Sequence, residues 1–163
     1  MLKITRLSRK DCYDELVSGK DEIDNVTVSY NYLHDSWKTS LWGSRDSNAC
    51  DRRITFLGNH WQNVNSGLPL FRFGQTHVAN NYYENVLDAA INSRMGTRIR
   101  IDGNYFESLH NPIVSFYSKA QAIGVWLTTS SIASPGRRTQ ATALSLAQMW
   151  ARLFHASRPM AIR

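Results

Sequence analysis

The sequence predicts an all-β fold, a parallel β-helix of about four coils, and three repeating features predict it. Four segments carry an asparagine at intervals of 28, 22 and 23 residues, at Asn31, Asn59, Asn81 and Asn104. Apolar residues stand three positions before each asparagine, and large residues stand two positions after it. A second apolar register follows about ten residues further on. A strand–turn–strand unit that cannot bury its own apolar face, repeated in this way, is typical of one coil in a stack.

The segments around the asparagines are predicted to be strands with one buried face. Apolar and polar residues alternate there with period 2, as they do when successive side chains point to opposite sides of a sheet. The apolar residues before the asparagines are Val28, Phe56, Val78 and Ile101, and the large residues after them are Leu33, Trp61, Tyr83 and Phe106. The second strand of each unit passes through Leu41, Leu70, Ile91 and Val114. Each coil is therefore expected to hold at least two short strands.

Stacked coils would place the four asparagines one above another. Asparagine tolerates the left-handed conformation of a tight turn, and its amide can hydrogen-bond to the copy about 4.8 Å away. A β-sandwich or barrel of alternating strands is the alternative, but those folds give no reason for one polar residue to recur at the same phase. The repeat therefore favours a β-helix with an asparagine ladder.

Three segments divide the chain. Residues 1–10 are basic, residues 11–119 carry the repeat, and residues 120–163 form an atypical tail rich in Ala, Ser and Arg. No asparagine–aromatic pair follows near residue 127, where the next repeat should bring one. The tail allows two interpretations. Residues 141–154 could form a helix that caps the open end of the β-helix, or the tail could be translated out of frame.

The distribution of charge argues against a nucleic-acid partner. The formal net charge is +6, from 19 basic and 13 acidic residues. Five arginines beyond Lys119 carry most of this excess, because the other 14 basic residues nearly balance the 13 acidic ones. The positive charge therefore belongs mainly to the tail, and we expect no nucleic-acid partner.

Membrane, targeting and metal signals are weak in this sequence. No run approaches the roughly 20 apolar residues that a membrane helix needs, and no signal peptide is visible in the opening residues. Cys12 and Cys50 have no partners at zinc-binding spacing. They form either one disulfide or two free thiols, and the free thiols are favoured. We expect a monomer.

The segment SGLPLFRFG at residues 66–74 is the most informative stretch for function. Together with HDSWKTSLWG at residues 34–43 and VTVSYN at residues 26–31, it closely resembles the pectate lyases of polysaccharide lyase family 1. The resemblance covers residues 13–118 in the order and spacing of that family. The family fold is a right-handed parallel β-helix, which agrees with the repeat.

The resemblance implies an activity, a cofactor and a location. Pectate lyases cleave polygalacturonate by β-elimination, use calcium, and are secreted. Calcium bridges the substrate carboxylate and acidifies the neighbouring proton, a Lewis-acid role suited to a hard cation. A base must remove that proton, and cationic groups must stabilise the enolate-like charge that develops.

The resemblance also assigns residues to the substrate site. Lys38 matches the family's lysine that binds a substrate carboxylate, and Arg72 matches the second arginine of the family's Arg-x-Pro-x-x-Arg-x-Gly motif. The first arginine of that motif, the family's presumed base, falls on Gly67. Catalysis is therefore expected to be impaired. A non-catalytic galacturonan-binding module, or an inactive fragment, is the alternative.

The calcium ligands that the resemblance implies are incomplete. Asp14 matches one of two family carboxylates spaced four residues apart, and Ser18 stands at the position of the other. Glu15 could substitute only with some adjustment of the backbone. A further family aspartate lies upstream of the region that the resemblance covers. Because calcium affinity follows the number and charge of its ligands, we expect affinity to be reduced.

Four other side chains lie near these positions in the sequence. Trp37 and Trp42 flank Lys38, and we expect them to stack on sugar rings in the substrate groove. Arg94 is expected one coil beyond Arg72, where it would continue a positive strip for an acidic polymer. Asp46 belongs to a turn-rich loop and is expected to be a solvated charge.

Overall fold

Parallel strands form every coil of the protein. The computed structural model describes residues 1–12, 14–115 and the strand at 124–127. In chain order the strands are β1 (Leu2–Thr5), β2 (Ser8–Arg9), β3 (Val26–Ser29), β4 (Tyr32–Lys38), β5 (Leu41–Trp42), β6 (Arg53–Leu57), β7 (His60–Ser66), β8 (Leu70–Arg72), β9 (Gln75–Ala79), β10 (Tyr82–Arg94), β11 (Arg98–Asp102), β12 (Tyr105–Val114) and β13 (Gly124–Leu127). A short 3-10 helix, Asp46–Asn48, lies between β5 and β6.

The strands stack on three faces of a parallel β-helix. The first face contains β1, β3, β6, β9, β11 and β13 in that order. The long strand β10 joins the other two faces. Its first part, from Tyr82 to Ala89, pairs with β7, and its last part, from Asn92 to Arg94, pairs with β8. All of these pairings are parallel, so the fold predicted from the asparagine repeat is confirmed.

The interior is filled by the residues that the repeat marked. The apolar residues ahead of the asparagines are all buried, as are the large residues after them. Aromatic rings stack from coil to coil: the centroids of Trp61 and Tyr83 are 6.1 Å apart, and those of Tyr83 and Phe106 are 4.8 Å apart. Each such side chain stabilises the fold by roughly 2–3 kcal/mol through burial of apolar surface.

The asparagine ladder is present and buried. The side-chain amide of Asn31 donates to Oδ1 of Asn59, that of Asn59 to Asn81, and that of Asn81 to Asn104, each at 2.9 Å. The backbone N–H of Asn59 also donates to Oδ1 of Asn81, at 2.9 Å. Each amide thus satisfies polar backbone groups that the turn would otherwise leave buried without partners.

The β-helix extends beyond the predicted boundaries at both ends. Strands β1 and β2 lie within residues 1–10 and pair with β3 and β4, so this segment belongs to the first coil. The coil was missed because Leu7, not asparagine, stands at the ladder position, where its N–H donates to Oδ1 of Asn31. Strand β13 pairs with β11 beyond residue 119. Six strands on the first face delimit about five turns rather than four.

The two interpretations of the tail concern residues outside the described part of the chain, apart from β13. Both cysteines lie within the described part, where Cys12 and Cys50 are free thiols, as favoured from the sequence. Among the described residues, no helix is long and apolar enough to cross a bilayer.

Candidate functional site

Two arginines stack on adjacent coils at the end of the third face. Arg72 ends β8 and Arg94 ends β10, and the two residues are paired in register. Parallel strands lie about 4.8 Å apart, so the two guanidinium groups belong to one row along the helix axis. Burial, followed by the neighbouring charge of Arg72, lowers the pKa of Arg94. Burial is the larger cause, and the contribution of Arg72 reflects two positive charges on neighbouring coils.

The guanidinium of Arg72 is held at three points. Its Nη1 donates to the carbonyl of Gly43 at 3.2 Å, its Nη2 forms an ion pair with the carboxylate of Asp46, and its carbon lies 5.4 Å from the ring centre of Phe73. The Nε atoms of Arg72 and Arg94 are buried and have no partner among the described residues.

Lys38 lies at the end of β4, one coil before Arg72. It pairs in register with Ser66, and Gly67 follows Ser66 directly. Its Nζ atom is 3.9 Å from Oδ1 of Asp14, and both side chains are more than half exposed. Lys38, Arg72 and Arg94 are named here the cationic strip, because they lie on three successive coils, Lys38 at the end of the second face and the two arginines at the end of the third.

Gly67 lies in the turn between β7 and β8, which joins the second face to the third. Its backbone is in the left-handed region, with φ of 78°, and the residue is buried. A Cβ atom added here would lie 3.5 Å from the carbonyl oxygen of Ser40 and 3.6 Å from Cβ of Leu70. These are ordinary van der Waals distances. The turn therefore has space for a Cβ atom, while the positive φ disfavours any residue other than glycine.

The two tryptophans near Lys38 have different environments. The side chain of Trp37 is 66% exposed. Trp42 is fully buried, its Nε1 donates to Oγ of Ser40 at 2.8 Å, and its ring meets Phe56 edge to face at 5.6 Å. The expectation that Trp42 lies in the substrate groove is wrong. In β5 the alternation directs Trp42 into the core and leaves Leu41 half-buried on the outer side.

Two neighbouring carboxylates could contribute to a calcium site. Asp14 is exposed and Glu15 is half-buried; burial, together with the charge of the neighbouring Asp14, raises the pKa of Glu15. The hydroxyl of Ser18 is also exposed. Carboxylate oxygens are the ligands that calcium prefers, and a cation would relieve the repulsion between the two groups. Calcium takes about six to eight oxygens, however, and the described residues contain no cluster of three or more His, Cys, Asp or Glu. The donor chemistry fits calcium, and the set is incomplete.

The sequence did not reveal two residues that contact Arg72. Arg52 is fully buried; it donates from Nη1 to the carbonyl of Arg72 at 3.1 Å and from Nη2 to the carbonyl of Asp21 at 2.9 Å. Asp46, expected to be a solvated charge, instead pairs with Arg72. Arg52 and Asp46 lie 20 and 26 positions before Arg72, in a loop that has no counterpart in the repeat. Only knowledge of the register between coils could have indicated that these residues contact Arg72.

The outer side of the second face carries a separate polar and aromatic row. The ring of His60 stacks between Tyr32 and Tyr82, with centroids 5.0 and 4.6 Å away, and its Nε2 is 2.9 Å from Oε2 of Glu84. Burial lowers the pKa of His60, while Glu84 opposes this shift. This row satisfies its own polar groups and is distinct from the cationic strip.

Comparison with known proteins gives a consistent set of relatives. A family model described as pectate lyase matches residues 5–157. Pectate trisaccharide-lyase from Bacillus licheniformis is 50% identical over 117 residues, which are 72% of this chain and 34% of that protein. The chain thus spans about a third of the length of the curated relatives that it matches.

Solved structures agree with this result. Pectate lyase II from Xanthomonas campestris is 34% identical, with a TM-score of 0.65 over 77% of this chain and 40% of that one. Pectate lyase C from Erwinia chrysanthemi, solved at pH 9.5 with 30 mM Ca²⁺, is 32% identical, with a TM-score of 0.65 over 76% of this chain and 38% of that one.

Proposed function

Because the chain belongs to the pectate lyase family, we propose that it binds polygalacturonate along the cationic strip and acts on it by calcium-dependent β-elimination. The stacking of Arg72 and Arg94 in register on adjacent coils carries this proposal. A polyuronate bears a carboxylate on every sugar, so cations on successive coils suit it. We further propose that the protein acts outside the cell, as a monomer.

The proposed chemistry divides between the strip and the turn before it. Lys38 and Arg72 bind uronate carboxylates and stabilise the negative charge that develops as the proton at C5 leaves and the C4–O bond breaks. The exposed ring of Trp37, beside Lys38, offers an apolar surface to a sugar ring. When bound, calcium supplies Lewis-acid polarisation of the substrate carboxylate, and Asp14 with Glu15 would hold it.

The residue at the position of the catalytic base determines the rate of elimination. Gly67 offers no side chain where the family resemblance implies an arginine. We therefore propose slow elimination in the unmodified chain, with binding of the polymer intact. A galacturonan-binding module without catalysis is the second candidate, and Gly67 is the observation that favours it.

Ultraviolet absorbance distinguishes these two functions. Elimination creates a carbon–carbon double bond that absorbs ultraviolet light, whereas hydrolysis or binding alone does not. With polygalacturonate as substrate, we expect a slow rise in absorbance in the presence of calcium and none with a chelator. Asp14→Asn should raise the calcium concentration needed for half-maximal rate by about tenfold, since it removes one of two carboxylates.

The control for the calcium effect is Asp51→Asn, because Asp51 is as exposed as Asp14 but pairs with Arg98 on the first face. Its calcium requirement should match that of the unmodified chain. New reducing ends without ultraviolet absorbance would indicate a hydrolase and would refute the proposed reaction. Flat absorbance with retained binding would establish the second candidate.

A further inference from the structure

The cation in the middle of the strip already has a carboxylate partner. Nη2 of Arg72 forms an ion pair with Oδ1 of Asp46, in the first turn of the short 3-10 helix between β5 and β6. Nη1 of Arg72 is held separately by the carbonyl of Gly43. Asp46 therefore occupies the Nη2 donor of Arg72, while the carbonyl of Gly43 occupies Nη1.

The two partners differ greatly in exposure. The side chain of Arg72 is 12% exposed and is fixed by contacts with Gly43 and Phe73, whereas that of Asp46 is 62% exposed. Water solvates an exposed carboxylate well, so little free energy is lost when its ion pair breaks. Asp46 is thus the partner that can leave, while Arg72 stays in place.

We propose that Asp46 is an internal competitor for the uronate carboxylate: it pairs with Arg72 in the free protein and must be displaced when galacturonan binds. This proposal rests on the proposed function, because it assigns a device to the same strip. A side-chain carboxylate and a uronate carboxylate offer the same two oxygens to a guanidinium, so they compete for the same donor. Asp46 therefore lowers the affinity of the strip for free uronates.

The competition has a consequence for substrate chemistry. A free uronate can replace Asp46 as an anionic partner of Arg72, but a methyl-esterified uronate has no charge with which to do so. Asp46 thus weakens binding of the free acid and leaves binding of the methyl ester nearly unchanged. Removal of its charge should favour the free acid, and the methyl ester should gain little.

Titration calorimetry with trigalacturonate, and with its trimethyl ester, tests this proposal. Asp46→Asn keeps the size of the side chain and removes its charge, so its Kd for trigalacturonate should fall by about three- to tenfold. The Kd for the trimethyl ester should stay within about twofold of the unmodified value. Asp51→Asn is the matched control, because Asp51 is 65% exposed and pairs with Arg98 at 2.9 Å on a different face. It should leave both constants unchanged.

A double variant separates competition from a structural role. In Arg72→Gln, which lacks the shared donor, the addition of Asp46→Asn should give no gain in affinity. A similar gain with and without Arg72, or an equal gain for the trimethyl ester, would overturn the proposal and indicate a general effect of charge. Thermal denaturation of each variant verifies that it is folded.

Failure of this proposal is distinguishable from failure of the proposed function. If the unmodified chain binds trigalacturonate through Arg72 but Asp46→Asn leaves the affinity unchanged, the competition is refuted and the binding function stands. If neither the unmodified chain nor Asp46→Asn binds trigalacturonate, the proposed function itself is wrong.

Discussion

Gly67→Arg is expected to raise the rate of polygalacturonate elimination by about 10²- to 10⁴-fold, the usual contribution of a positioned general base. The variant places a guanidinium at the turn before Arg72, in the coil that follows Lys38. Arginine is normally protonated, but the nearby charges of the strip favour its neutral form. The gain should require calcium and disappear with a chelator, and ultraviolet absorbance measures it directly.

The turn has space for the first atom of this side chain. An added Cβ would make only ordinary contacts, at 3.5 Å and beyond, while the positive φ of 78° costs about 1–2 kcal/mol for a residue other than glycine. Gly67→Ala carries the same strain without the functional group and is therefore the matched control. If Gly67→Ala were as active as Gly67→Arg, the gain would not come from the guanidinium. If Gly67→Arg folded, bound polygalacturonate and stayed inactive, Gly67 would not be the lesion.

Asn81→Ala is expected to lower the free energy of unfolding by about 3–5 kcal/mol, because it leaves several buried polar groups without partners. Oδ1 of Asn81 accepts from the backbone and the side chain of Asn59, and its Nδ2 donates to Oδ1 of Asn104 and to the carbonyls of Phe56 and Ala79. All of these bonds lie in the interior. Urea unfolding followed by tryptophan fluorescence measures the change.

The control is Asn65→Ala, in the same protein but outside the ladder. Asn65 is half-buried, and its amide makes one long hydrogen bond, 3.4 Å to Oγ of Ser66. Its replacement should change the free energy of unfolding by less than about 0.5 kcal/mol. If the two variants were equally stable, the ladder would not stabilise the stack, and the asparagine repeat would need another explanation.

The fold could be predicted from the sequence because each coil repeats the same local requirements. Val28, Phe56 and Asn59 recur in kind at every turn, and stacking of identical units leaves few alternatives. The first coil escaped prediction because Leu7 replaces the asparagine that marked the others. Trp42 was misplaced because β5 is only two residues long, too short for its alternation to indicate which side chain faces the core.

The site could be predicted only in part. The pairing of Arg72 with Arg94 followed from the repeat, since residues one coil apart lie side by side, whereas Lys38 lies level with Ser66. The partners of Arg72 did not, because Arg52 and Asp46 come from an irregular loop where no periodicity relates sequence to space. Nothing in the local sequence indicates that Arg52 is buried, because the adjacent residue, Arg53, is also an arginine and is exposed.

Both proposed functions require that the cationic strip binds uronate, and one titration tests this requirement most directly. Trigalacturonate is titrated into the unmodified chain, into Arg72→Gln and into Arg98→Gln, an equal loss of charge on the first face. We predict that Arg72→Gln weakens binding by at least about tenfold, or 1.4 kcal/mol, and that Arg98→Gln changes it less than about twofold. Absence of binding, or an equal effect of the two substitutions, would contradict the assignment of the strip as the substrate site.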